Sequence, residues 1–399
     1  MRFNLLSISF FILLLSAFSR PIVSILEGRT PLPLHKLIPV GFSYIFLLLL
    51  FLCFSKIKWD VLGVVIVVFC LYATSSLLWG SNPTALPELI LPYFGYFAAR
   101  TFTRDKNDAI TINNALIIGF TIPIVGSAIF MLLKLSPSHH VYGSGVLRQT
   151  GLYVGSHTAA HSMVIFSFIY ALFLTYKKNV KIIYQNLVHI LFFLSVYTLW
   201  NTYVRSGILT LLLFWSTLLF FWRRKYFFIL VILIVGFGIL FSSTVQSIFW
   251  KADTWDRQRN LDTASSGRIK LWSHNLKLFT DSPLYKKMLG FGLGTESKRV
   301  IGGEKEVWSS HNDFISLLMM LGVFGLLVYI FTNILLLYEI FLTQGTYFVK
   351  IIFLSAIAAS ICTSMVTNGY VFRIEAGQLF WLIFGYGFHL IQSKEIQVQ

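Results

Sequence analysis

The sequence predicts an all-α, polytopic membrane protein with about twelve transmembrane helices and one long outward loop between helices nine and ten. Three observations carry that expectation. The 399 residues are 56% hydrophobic, 17% aromatic and only 12% charged, with a mean hydropathy of +0.74, a composition no soluble globular protein shares. Apolar stretches alternate with short polar joints from residue 1 to about 243. A polar excursion of roughly 68 residues, 244–311, then interrupts that rhythm before it resumes.

Runs able to cross a hydrocarbon core of about 30 Å lie near 3–19, 37–55, 61–79, 86–101, 110–134, 158–176, 182–200, 207–222, 226–243, 313–338, 348–366 and 376–392. The first resembles a signal peptide because Arg2 precedes it, but Arg20-Pro21 sits where cleavage would fall, so it reads as a retained helix. Basic clusters at Lys56/Lys58, Arg100/Arg104/Lys106, Lys177/Lys178/Lys181 and Arg223/Arg224/Lys225 each follow an even-numbered run. Cytoplasmic loops are enriched in Lys and Arg, so both termini are expected in the cytoplasm and the 244–311 loop in the periplasm. The expected division is 1–243 for helices one to nine, 244–311 for the periplasmic loop, and 312–399 for helices ten to twelve. Within the loop, apolar residues from Ile269 to Phe279 recur with a helical period, which predicts a short amphipathic helix.

The loop carries 11 Lys/Arg against 7 Asp/Glu. Loops of this length are largely exempt from the orientation rule, and an anionic ligand is the simplest reason for a basic outward loop. The formal charge of +16 is otherwise an orientation signal with attraction to anionic lipid headgroups, and it does not favour nucleic acid. Cys53, Cys70 and Cys362 lie in apolar runs, where a thiol behaves as a small hydrophobe.

Several residues could carry chemistry. Arg205 sits in the tight turn Asn201–Gly207 between two apolar runs, on the expected outer side, where a guanidinium needs an anionic partner; its bland alternative is snorkelling to lipid phosphate. Arg268 follows Gly267 at the start of the amphipathic segment and offers bidentate donation to phosphate. His311 opens the tenth run and precedes Asn312 and Asp313; an imidazole suits general-base work near neutral pH, while a polar helix start is the plain reading. Arg148, His157 and His161 form a weaker outer group for structural or substrate-contact roles. His157 and His161 have metal-ligand spacing with no nearby Cys or carboxylate to complete a site. Glu88 beside Pro87 reads either as an intramembrane carboxylate or as a helix start. The Gly290-Phe-Gly-Leu-Gly-Thr295 stretch lacks the flanking strand and helix of a dinucleotide loop, so it reads as a flexible turn back to the membrane. There is no Asp-x-Asp motif, which favours phosphate held by arginine over phosphate held by metal.

With these residues in hand, the chain resembles the O-antigen ligase and polymerase superfamily of polytopic glycosyltransferases. Val204-Arg205-Ser206-Gly207-Ile208-Leu209 is similar to the family's Arg-x-x-x-Leu element. Gly267-Arg268 with Trp272 falls in the long loop, and His311-Asn312 is followed nine residues later by Gly322-Val-Phe-Gly325. Arg148-Gln-Thr-Gly-Leu-Tyr153 is similar to a weaker family element. The resemblance implies transfer of a glycan from undecaprenyl diphosphate to an acceptor sugar at the periplasmic face of the bacterial inner membrane, with no cofactor or metal. It implies Arg205, Arg268 and His311 as catalytic residues and Arg148, His157 and Asn312 as substrate contacts. The acceptor would be lipid A-core for a ligase or a lipid-linked glycan for a polymerase, and the spacing of the Arg205 and His311 elements leans to the ligase. A lipid-linked oligosaccharide flippase is the reading from a different class; apart from Glu88, the deep helix interiors hold few charges to line a transport path.

Overall fold

The computed structural model describes residues 41, 57–80, 85–136, 138–140, 147–153, 155–240, 268–293, 299–301, 304–306, 310–370 and 372–392. The predicted run 3–19, and all of 37–55 except residue 41, lie outside the described residues. The described part is helical throughout, apart from two short antiparallel hairpins, β1 (Ser138–His140) with β2 (Leu147–Gln149) and β3 (Arg299–Ile301) with β4 (Glu304–Glu306).

In chain order the helices are α1 (Val61–Ser75), α2 (Ala85–Ile90), α3 (Phe94–Phe102), α4 (Lys106–Leu132), α5 (Ser156–Tyr176), α6 (Ile182–Asn201), α7 (Arg205–Trp222) and α8 (Arg224–Leu240). They continue with α9 (Arg268–Thr280), α10 (Leu284–Leu289), α11 (Asp313–Leu342), α12 (Tyr347–Val366) and α13 (Ile374–Ile391). Among the described residues, seven helical stretches are long and apolar enough to span a bilayer: Val61–Leu78, α4, α5, α6, α7, α11 and α12. The protein is therefore an all-α polytopic membrane protein.

One predicted span is not continuous. The run expected as a single helix over 86–101 breaks into α2, a 3-10 turn over Leu91–Tyr93, and α3. Pro92 lacks the N–H an α-helix interior requires, so the chain tightens there and restarts. Glu88 falls in the first turn of α2 and is exposed, a helix-start position that suits a carboxylate.

Helix α5 is the centre of the bundle. Its residues from Ala159 to Phe173 are buried on every face, as expected of a helix apolar all round. Gly207 brings α7 against it: a Cβ there would lie 2.9 Å from Ala160 Cβ and 3.0 Å from Leu199 Cδ1. Trp215 Nε1 then donates to Ser167 Oγ at 2.8 Å further along the same pair of helices.

The amphipathic helix expected over 269–279 is present as α9, with Leu271 and Asn275 buried. The glycine stretch behind it is fixed in place. Phe291 N donates to Met319 O at 2.8 Å and Gly292 N to Met320 O at 3.0 Å. These bonds meet α11 where Gly322 leaves helical geometry at φ 68, ψ −170, a conformation that favours glycine. Tyr72 Oη donates to the Leu321 carbonyl beside the kink at 2.9 Å. Gly290 to Leu293 thus brace the loop on α11, in place of the expected flexible turn; Gly294 and Thr295 lie outside the described residues.

Candidate functional site

Helices α5, α7, α11 and α13 all begin at the same end of the bundle, and α9 begins there from the loop. Gly207 of α7 packs on Ala160 near the start of α5, Arg268 and Asn312 both reach the last carbonyls of α12, and the connection from there leads into α13. Five helix N-termini, each with a partial positive charge, therefore converge on one region.

Arg205 is the first residue of α7. It follows a three-residue turn in which Tyr203 takes φ 48. Thr202 holds that turn by donating from Oγ1 to Leu199 O at 2.6 Å, while Val204 N donates to Thr202 Oγ1 at 3.3 Å. The turn is too short to carry Arg205 away from the bundle, and the residue is half-buried.

Arg268 is the first residue of α9, and its Nη1 donates to the Val366 carbonyl. The adjacent carbonyl, Met365 O, accepts from Asn312 Nδ2 at 2.7 Å. These carbonyls end α12, where helical partners run out and the macrodipole is negative. A guanidinium and an amide from two other elements satisfy them. Arg268 and Asn312 are thereby fixed side by side. Trp272 Nε1, one turn along α9, donates to Ser310 O at 2.7 Å, which ties the loop helix to the segment leading into α11.

His311 stands between these anchors with φ 49. A non-glycine residue in that left-handed region is uncommon, and such conformations gather at functional sites where the surroundings enforce them. Here Ser310 is pinned on one side. On the other, Asn312 caps α11 by accepting from Ile315 N at 3.0 Å. Asp313 is fully buried, and its Oδ2 accepts from Ser364 Oγ at 2.6 Å and from Gly369 N at 2.9 Å. Both polar ends of Asn312 and one carboxylate oxygen of Asp313 serve to hold the His311 turn against the end of α12.

Among the described residues, the charges that shift Arg148 and Arg268 are those of other arginines. Burial, then the charges of Arg205 and Arg148, push the Arg268 guanidinium down to about 10. Burial and then Arg205 lower Arg148 as well. All three remain cationic near neutral pH, and they repel one another across a partly dry volume. An anion would relieve that repulsion. His157, in the first turn of α5, lies within electrostatic reach of Arg373, His161, Arg148 and Arg268. The structure thus brings together Arg148, Arg205, Arg268 and His157, with Asn312 and His311 beside Arg268.

Two groups at this end escaped the sequence reading. Arg373 caps α13, and its Nε donates to Asn368 O at 3.0 Å. Tyr370, buried in the same α12–α13 connection, sets its ring edge-on to His161 with centroids 5.7 Å apart. Among the described residues His157 and His161 belong to no group of three or more His, Cys, Asp or Glu side chains able to hold a metal.

A family model described as O-antigen ligase matches residues 190–330. The matched stretch contains Arg205, Arg268, His311, Asn312 and the Gly322 kink, and excludes Arg148, His157 and Arg373. The resemblance read from the Arg205, Arg268 and His311 elements is thus shown over the segment that carries them, and it supports an enzyme of glycosyltransferase type in O-antigen processing. No curated protein matches the chain.

Proposed function

We propose that the protein transfers an O-antigen-type polysaccharide from undecaprenyl diphosphate to a sugar of lipid A-core, as an O-antigen ligase, at the periplasmic face of the bacterial inner membrane. The observation that carries this reading is the cluster of Arg148, Arg205 and Arg268 within electrostatic range of one another, with His311 held beside Arg268 by the Asn312 and Trp272 anchors.

In this reading the acceptor hydroxyl attacks the anomeric carbon of the donor. Its oxygen forms the new glycosidic bond while the bond from that carbon to the diphosphate oxygen breaks, and the electron pair leaves with undecaprenyl diphosphate. Negative charge grows on the leaving oxygen, and fixed guanidinium groups stabilise it more in the transition state than in the ground state. His311 takes the proton from the acceptor hydroxyl. Displacement from the opposite face inverts the anomeric centre. No metal is required, because the arginines supply the positive charge that a divalent ion would otherwise bring. The loop 244–311 faces the periplasm and both termini face the cytoplasm. A polymerase that joins lipid-linked repeat units would use the same residues with a different acceptor.

Complementation in two hosts separates these readings, one host lacking its O-antigen ligase and one its polymerase, each supplied with the cognate repeat-unit genes. Long chains attached to core in the first host are expected. A ladder restored only in the second would make the protein a polymerase, and lipid-linked repeats trapped on the cytoplasmic side in both would favour a flippase. Transfer is expected to survive a chelator; loss rescued by Mg²⁺ would overturn the metal-free mechanism.

A further inference from the structure

Below the arginine cluster lies a second polar group that the reaction just described does not use. His161 is fully buried in α5, one turn beyond His157, so about 6 Å further along the helix axis. Neither of its ring nitrogens has a hydrogen-bond partner among the described residues. The same holds for Tyr370 Oη, edge-on to the His161 ring, for Thr367 Oγ1 in the same connection, and for His157 Nδ1. Buried polar groups in folded proteins nearly always find partners. Five such atoms gathered on one connection and one helix face therefore mark a place built to meet a polar ligand.

The sign of that ligand follows from the neighbours. Arg373 acts on both histidines. Its orientation is set by the bond from Nε to Asn368 O, and it stands at the N-terminus of α13, where the helix adds partial positive charge. His157 lies within electrostatic reach of both groups, of Arg373 and His161 as well as of Arg148 and Arg268. The two groups are contiguous, and the second reaches one helical turn further into the bundle.

We infer that Arg373, His157 and His161 form a second anion subsite, which takes the lipid-side phosphate of a lipid diphosphate while Arg148, Arg205 and Arg268 take the sugar-side phosphate. The inference rests on the reading of the site as a lipid-diphosphate site. The order is set by connectivity: the lipid must leave the site through the membrane, so the phosphate bonded to it lies on the membrane side of the pair. Imidazole N–H and phenol O–H groups can donate to phosphate oxygens there without adding a further permanent charge to a buried volume.

The test measures binding of undecaprenyl diphosphate and undecaprenyl monophosphate to the purified full-length protein in detergent, by thermophoresis. Wild type should bind both lipids and prefer the diphosphate. Arg373→Ala should weaken both lipids by about tenfold, since each presents a lipid-side phosphate and a charge-assisted bond is lost. Arg268→Ala should remove the preference for diphosphate while monophosphate binding stays within about twofold. If Arg373→Ala elutes as aggregate, His157→Gln takes its place with the same expected pattern at about threefold. Unchanged monophosphate binding in a folded Arg373→Ala or His157→Gln protein would overturn the second subsite and leave the first intact. Wild type binding neither lipid would overturn the underlying reading itself.

Discussion

The two ends of the helix bundle are both basic, and they treat their cations in opposite ways. At the end where α1 begins and α3 finishes, Arg100 Nε reaches Asp60 Oδ2 at 3.1 Å. The same carboxylate accepts from Tyr96 Oη at 2.6 Å and caps α1 through Gly63 N at 2.7 Å. Lys58 Nζ donates to Thr103 O at 2.8 Å. Other cations of that end, such as Lys178, Arg223, Arg224 and Lys225, are exposed, and Arg223 and Arg224 lie over the rings of Trp222 and Phe220, as expected of interfacial anchors. At the other end Arg148 and Arg268 are partly buried, and the charges that act on them are other arginines. Charge at the first end is neutralised or solvated, which serves orientation and stability. Among the described residues, charge at the second end is concentrated, an arrangement suited to an anionic ligand.

That contrast can be broken by mutation. The largest effect is expected from Arg205→Lys and Arg268→Lys, each of which should slow transfer by roughly 10²-fold, the scale of losing one fixed donor to developing charge. Lysine keeps the charge and loses the planar fork. Full activity in both variants, measured as polysaccharide transferred from a lipid-linked donor, would sink the arginine clamp. Next comes Asp313→Ala. Loss of the acceptor for Ser364 Oγ and Gly369 N should lower stability by about 2 kcal/mol, read as thermal unfolding in detergent, and should reduce transfer as well by loosening His311. A smaller effect is expected at the opposite end, where Asp60→Ala should cost about 1 kcal/mol and leave the transfer rate per folded molecule unchanged. Reduced turnover in that variant would mean that the two ends are coupled. The smallest effect should come from Lys177→Ser with Lys178→Ser, which ought to change neither stability nor turnover measurably.

The fold class was legible because hydropathy responds to the bilayer and needs no knowledge of neighbours. The broken span at Pro92 was harder to see: the run 86–101 is apolar apart from Glu88 and its Arg100-Thr101 end, and a proline inside it signals a break or only a kink. Arg205, Arg268 and His311 could be picked out because each departs from a local rule. Arg205 is a cation in a short turn on the side expected to face outward, where the orientation bias calls for few, and Arg268 and His311 sit at helix starts. Arg373 carries the Arg205 signature, a lone arginine between two apolar runs on the same side, and the same rule applied to the last joint would have found it. The resemblance implied Asn312 as a substrate contact; the structure adds its contacts with α11 and α12. The contact with α12 depends on where its C-terminal carbonyls fall, which no local pattern encodes.

By itself the sequence determined that the chain crosses a membrane many times, that a polar loop stands between α8 and α11, and that a few arginines and one histidine break the apolar order. These are properties of composition and of neighbours along the chain, set by the cost of taking polar groups out of water. Only the tertiary structure decided that Arg148, Arg205, Arg268 and Arg373 share one end of the bundle with His157 and His161. Their company depends on helices distant in sequence packing in register: Gly207 against Ala160, Gly322 against the Gly290 brace, and Val366 O at the point where Arg268 arrives. Such contacts are fixed by shape and by the demand that every buried helix end find partners, and both arise only once the whole bundle has closed.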